Sequence, residues 1–196
     1  MNRKGIRMGR MGFYFNMNTC LGCGACQVAC KDKNGLQPGE FFRRVDTVVL
    51  MDHGVPTYHH YSGACNHCEN PICVDTCTTG AMHKAPDGTV VHDDGICIGC
   101  GTCLWNCPYG SISFSKVNGM GQKCDACADL RAEGKEPACV TACPTHSLQF
   151  GDLDELQREF GTTLNAISIL PDADLTKPSL TIKLPKSTTQ GGNAHE

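Results

Sequence analysis

Sixteen cysteines fall into four groups of four, with none left over. Cys20, Cys23, Cys26 and Cys30 are spaced C-x2-C-x2-C-x3-C, and Cys97, Cys100, Cys103 and Cys107 repeat that spacing with Pro108 directly behind. Cys65, Cys68, Cys73 and Cys77 open the middle gap to four residues, whereas Cys124, Cys127, Cys139 and Cys143 open it to eleven. Clustered thiols can pair as disulfides, hold zinc, or hold iron–sulfur clusters.

The spacing favours the third chemistry. A cubane cluster has an iron at each of four corners, and thiolates on every third residue can wrap three of them while the backbone amides turn toward the sulfides. Gly22, Gly24, Ala25, Gly99, Gly101 and Thr102 lie between the cysteines, where bulk would hold the backbone away. The fourth cysteine begins the next helical turn and points elsewhere. In two-cluster bacterial ferredoxins it ligates the other cluster, so a pair of such motifs makes two clusters by exchanging ligands. Disulfides suit glycine-punctuated CxxCxxC triples poorly, and no secretory signal is read in the first ten residues. Zinc sites pair two C-x2-C knuckles and need no third cysteine at that spacing and no closing Cys-Pro. Four variations on one theme amount to duplication of a two-motif, two-cluster unit.

Composition agrees that ligands organise the fold. The 40% apolar content includes the cysteines; without them about 32% of 196 residues remains for a conventional core, with one Trp. Metal ligation must therefore carry much of the folding free energy. A net charge of −3 without basic blocks argues against nucleic acid as a partner. The longest aliphatic runs, 48–51 and 166–170, are far short of the roughly 20 residues that span a bilayer, so no membrane span is expected. Arg3, Lys4, Arg7 and Arg10 read as a frayed basic tail, and Met8 and Met11 allow a later start.

Short elements must position the thiols. Phe13 to Met17 reads as a strand entering the first motif, and a short helix should follow each fourth cysteine. Phe41 to Met51 contributes a strand; Gly54, Pro56 and Gly63 read as loop punctuation. Asp87-Gly88 turns into a strand at Thr89 to Val91, with Ser111 to Ser115 as its expected partner. These features give an α+β fold of two nested two-cluster ferredoxin-like units with an extended C-terminal tail. Residues 12–63 and 117–150 form the outer unit, 64–116 the inserted one, and 151–196 a helix and partner-docking tail. Asp152 or Asp154 should cap a helix through Phe160 that Gly161 stops. Pro171, Pro178 and Pro185 argue against packing beyond it, except for a docking strand at Ile182 to Leu184. Lacking a cysteine after Cys143, the tail is expected to be dispensable for the clusters.

With the motifs placed, the sequence resembles the electron-transfer (iron–sulfur, B) subunit of the dimethyl sulfoxide reductase group, the four-cluster proteins that accompany molybdopterin oxidoreductases. The resemblance runs from about Phe13 to Lys183 and extends beyond the ligands. It includes Phe42-Arg43-Arg44-Val45, Cys65-Asn66-His67-Cys68-Glu69-Asn70-Pro71, Gly80-Ala81-Met82-His83-Lys84, Cys107-Pro108-Tyr109-Gly110, Lys123-Cys124-Asp125-Ala126-Cys127 and Leu153-Asp154-Glu155-Leu156. It implies four 4Fe-4S clusters. Cys20, Cys23, Cys26 and Cys143 would hold the first, and Cys30, Cys124, Cys127 and Cys139 the second. Cys65, Cys68, Cys73 and Cys107 would hold the third, and Cys77, Cys97, Cys100 and Cys103 the fourth. In nitrate-reductase relatives a Trp at the position of Cys100 leaves three irons, so the cysteine here implies four. Thr78 replaces the family's frequent Pro.

The resemblance further implies a non-catalytic electron wire. A molybdopterin-containing catalytic subunit would stand at one end and a membrane anchor subunit that oxidises quinol at the other. A free polyferredoxin carrier and a zinc-held interaction module are the alternatives. With no signal of its own, the protein would be made in the cytoplasm and reach either membrane face through its partners. For His67, packing or a backbone hydrogen bond outweighs a bond to sulfide. Trp105 reads as cover for apolar surface. Arg43 and Arg44 read either as an interface ion pair or as a solvated charged face.

Overall fold

The computed structural model describes residues 9–52, 54–161 and 167–185. The basic tail before residue 9 and the last eleven residues lie outside it. Nine strands and six helices are described: β1 Met11–Asn16, α1 Ala25–Lys33, β2 Arg43–Asp52, β3 Val55–Ala64, α2 Ile72–Asp75, β4 Met82–Lys84, β5 Val90–His92, α3 Thr102–Asn106, β6 Ile112–Ser115, β7 Met120–Lys123, α4 Ala128–Ala132, α5 Ala138–Thr141, β8 Leu148–Asp152, α6 Leu153–Phe160 and β9 Leu180–Lys183.

β1 is the centre of the one three-stranded sheet among the described residues, between antiparallel β8 and parallel β9. Its residues alternate as a strand's must. Phe13 and Phe15 enter the main core beside Cys30, Cys65, Cys124 and Cys139, whereas Tyr14 packs with Leu153 and Leu156 of α6. Phe160 stacks on Tyr14 at 4.1 Å between ring centroids. α6 has the expected cap: Asp152 Oδ1 accepts from the amides of Asp154 and Glu155 at 3.0 and 3.1 Å, and Gly161 ends the helix at φ 77°.

Four expectations need correction. The short helices do not follow the fourth cysteines: α1 contains Cys30, and α2, α3 and α5 end just before Cys77, Cys107 and Cys143. Residues 55–64 form a full strand paired with β2, despite Pro56 and Gly63. In a two-stranded ribbon each strand keeps a free edge, so a proline can be accommodated. The Thr89 strand does not pair with Ser111 to Ser115; β5 pairs with β4, and β6 with β7, each as a local hairpin. Finally, Leu180–Lys183 docks on the protein's own β1. Ser179, Thr181 and Ile182 are buried, so this stretch of the tail belongs to the core.

Candidate functional site

All four cysteine motifs share one backbone device. The residue before each second cysteine is left-handed: Gly22 at φ 66°, His67 at 44°, Gly99 at 68° and Ala126 at 58°. Glycine takes this conformation freely, whereas His67 and Ala126 are held in it at a cost. In two motifs the turn aims its amide at sulfur: Gly99 N and Ala126 N donate to Cys97 Sγ and Cys124 Sγ at 3.4 and 3.3 Å. Beyond the fourth cysteines, Met82 N and Ser111 N donate to Cys77 Sγ and Cys107 Sγ at 3.4 and 3.5 Å. A Cβ at Gly121 would come within 3.0 Å of Cys103 Sγ, so this glycine keeps β7 close to the third motif.

The side chains gather in four quartets. Cys20, Cys23, Cys26 and Cys143 line one cavity, Cys65, Cys68, Cys73 and Cys107 a second, and Cys77, Cys97, Cys100 and Cys103 a third. Cys30, Cys124, Cys127 and Cys139 lie together in the core, where burial, together with Cys139 and Cys127 and against Arg43, pushes the Cys30 thiol up to about 12. Each quartet mixes three cysteines from one motif with one from another. The quartets differ in solvation: Cys23 and Cys100 are exposed, while Cys30, Cys65, Cys124, Cys127 and Cys139 are buried.

Two cations are buried among these thiols. Arg43 is only 2% exposed; burial alone would lower its pKa, but Cys139, Cys124, Cys26 and Cys30 around it raise the value instead. This corrects both surface readings for Arg43. Arg44 is exposed beside the Phe41 ring, 5.3 Å from its centroid. Lys123 Nζ donates to the Cys124 carbonyl at 2.9 Å and to the Val90 carbonyl. A formal charge alone marks neither as buried; the thiols around Arg43 and the Val90 carbonyl that Lys123 meets belong to segments distant in sequence.

His67 is 0% exposed, and its Nδ1 accepts from Val90 N at 3.0 Å, the backbone bond expected. Burial, aided by Lys123 and Arg131, holds the ring neutral. Trp105 does not cover apolar surface: it is 89% exposed on α3. Leu21 and Ile98, each between the first two cysteines of its motif, are exposed as well.

The donor set fits iron–sulfur clusters better than single metal ions. Among the described residues, no three Cys, His, Asp or Glu groups converge on a single-ion site. Buried polar atoms lack protein partners beside them, namely Arg43 Nε and Nη2 and His67 Nε2. All-thiolate quartets ringed by N–H donors suit an anionic sulfur-rich cluster.

Comparison with known proteins agrees with this class. The family model of a 4Fe-4S dicluster domain matches residues 56–153. The B subunit of anaerobic dimethyl sulfoxide reductase from Escherichia coli K12 is 44% identical over 180 residues, covering 88% of this protein and 87% of that relative. Its namesake from Haemophilus influenzae is 37% identical over 195 residues, covering 95% of both. The thiosulfate reductase electron transfer subunit of Salmonella typhi is 40% identical over 149 residues, covering 72% of this protein and 77% of that one. The protein belongs to the family of iron–sulfur B subunits of dimethyl sulfoxide reductase, which transfer electrons and are not the catalytic subunits.

Proposed function

We propose that the protein binds four 4Fe-4S clusters and relays single electrons between a molybdopterin-containing catalytic subunit and a membrane subunit that oxidises quinol. The ligands are the four quartets described above, and the clusters supply the one-electron chemistry. The carrying observation is that the quartets form a continuous series. Arg43 faces Cys26 of the first and Cys30, Cys124 and Cys139 of the second. Cys124 of the second faces Cys65 of the third. Helices α2 and α3, which carry Cys73 and Cys103, pack together and join the third to the fourth.

Solvation supports the order of that series. The inner quartets contain all five buried cysteines, and the terminal ones contain the exposed Cys23 and Cys100. Next to these stand Leu21 at one terminus and Ile98 and Trp105 at the other, apolar surface for partners to cover. The protein's own part is to hold the clusters, aim amides at their sulfurs and exclude water from the middle. By resemblance, the first quartet lies toward the molybdopterin and the fourth toward quinol. Pairing of β1 with β8 supports two nested units, because it joins the flanks of motifs one and four around an inserted 64–116 unit. No described helix is long and apolar enough to cross a membrane, so attachment would run through the partner on either face.

Native purification under anaerobic conditions tests the partnership. The protein should travel with a molybdopterin-bearing subunit and a quinol-reactive membrane subunit. A four-cluster protein found on its own in the same extract would instead support the free-carrier reading.

A further inference from the structure

Arg43 has more hydrogen-bonding capacity than the protein uses. Its Nη1 donates to the Ser62 carbonyl at 2.9 Å and to Ser62 Oγ at 3.1 Å. That hydroxyl stands 3.3 Å from Cys26 Sγ, a ligand of the first quartet. The guanidinium carbon lies over the Phe13 ring, 4.6 Å from its centroid. Nε and Nη2 are buried and have no protein partner. The thiols around the guanidinium are Cys26 on one side and Cys30, Cys124 and Cys139 on the other.

A buried guanidinium with two orphaned donors is costly unless something anionic meets it. Four thiolates and a cluster in each adjoining quartet provide such a group. We propose that Arg43 is a positioning residue shared by the first two clusters, its free N–H groups and fixed charge directed at their sulfur atoms and making both easier to reduce. When one electron passes between them, one cluster loses the negative charge that the other gains. Arg43 stays protonated throughout and faces both, so it favours the reduced form of each without taking up or releasing a proton. Amide and guanidinium hydrogen bonds to sulfur and local charge are among the levers that set cluster potentials.

The inference rests on the four-cluster reading. It is tested by redox titration of the purified complex, following each cluster's paramagnetic signal in wild type, Arg43→Gln and Arg43→Lys, with iron determined on every sample. Cys23→Ser and Cys127→Ser assign the signals of the first and second clusters. Arg43→Gln should weaken one-electron reduction of those two clusters at least tenfold, about 59 mV for a one-electron couple, and leave the other two unmoved. Arg43→Lys keeps the charge but not the fork, so it should shift the same two clusters in the same direction by less. Unchanged potentials in either variant at full iron content, or an equal shift of all four clusters, overturn the inference. Loss of clusters from Arg43→Gln leaves the decision to Arg43→Lys, and loss from both makes Arg43 purely structural and also overturns it. These failures leave the four-cluster reading intact, because only low iron in the unmodified protein contradicts that.

Discussion

The Ser179 hydroxyl donates a 2.8 Å hydrogen bond to the carbonyl of His67, tying the approach to the last strand to the loop between Cys65 and Cys68. Ser179 N donates to Asn66 O at 2.8 Å, and the carbonyls of Lys177 and Thr176 accept from the amides of Glu69 and Asn70. The segment after Pro171 therefore clamps the loop of Cys65 and Cys68 although it contains no cysteine. Truncation there should lower iron content and stability together. Leu180 and Ile182 alone represent roughly 3 kcal/mol or more of burial. Iron analysis and thermal unfolding of the truncated protein check this, and wild-type values for both would contradict it.

Much of the site was legible in the cysteines and the glycines between them. Spacing picked out the repeat and the cysteines that gather in quartets, and Gly22 and Gly99, read there as room for the backbone, take the left-handed turn. His67 and Ala126 occupy the same position in the other motifs, but without glycine there the turn has no local signature. The α6 cap was readable because Asp152 and Gly161 act within one helix. The parallel docking of β9 was not, since four residues of alternation cannot say which strand they join. The burial of Arg43 was hidden for a related reason. Whether a charge is buried depends on what folds around it, and the thiols here come from the first and fourth motifs, far apart in sequence.

Lys123 is the second buried cation, 5% exposed, and its two hydrogen bonds go to main-chain carbonyls. Lys123→Met preserves most of the volume but leaves the Val90 and Cys124 carbonyls without that donor. A loss of about 1–3 kcal/mol is expected, read as a lower denaturation midpoint with an unchanged slope. A midpoint equal to wild type would show that water replaces the ammonium.

Asp87 and Arg131 join the hairpin turn before β5 to α4 with a 2.5 Å ion pair. Burial raises the Asp87 carboxyl, but hydrogen bonds from Thr89 and Arg131 outweigh it and hold the pKa below the ordinary carboxylate value. The stability this contributes is fully present above the unfolded pKa of about 3.9 and is lost as pH falls through the lower folded value. Asp87→Asn should therefore cost about 1 kcal/mol, unchanged from about pH 8 to about pH 5. Urea unfolding across that range checks the flat profile; a cost that fades within it would assign the pair a different role.

Cys100 is exposed and belongs to the fourth quartet. Replacing it with Ser or Trp should convert one cluster to a three-iron form with its own paramagnetic signal when oxidised, leaving three clusters as they are. In the assembled complex, quinol-linked turnover should fall while turnover driven by a small reductant acting on the catalytic subunit survives. Intact quinol-linked turnover, or loss of both activities with the complex still assembled, would contradict the placement of this cluster between quinol and the catalytic subunit.

The most direct test of the central claim is the iron and acid-labile sulfide content of the anaerobically purified, fully reconstituted protein. Four quartets each holding a 4Fe-4S cluster predict about sixteen iron and about sixteen sulfide per molecule, with no stoichiometric zinc. Iron below about half that value, or zinc in its place, would contradict the four-cluster account.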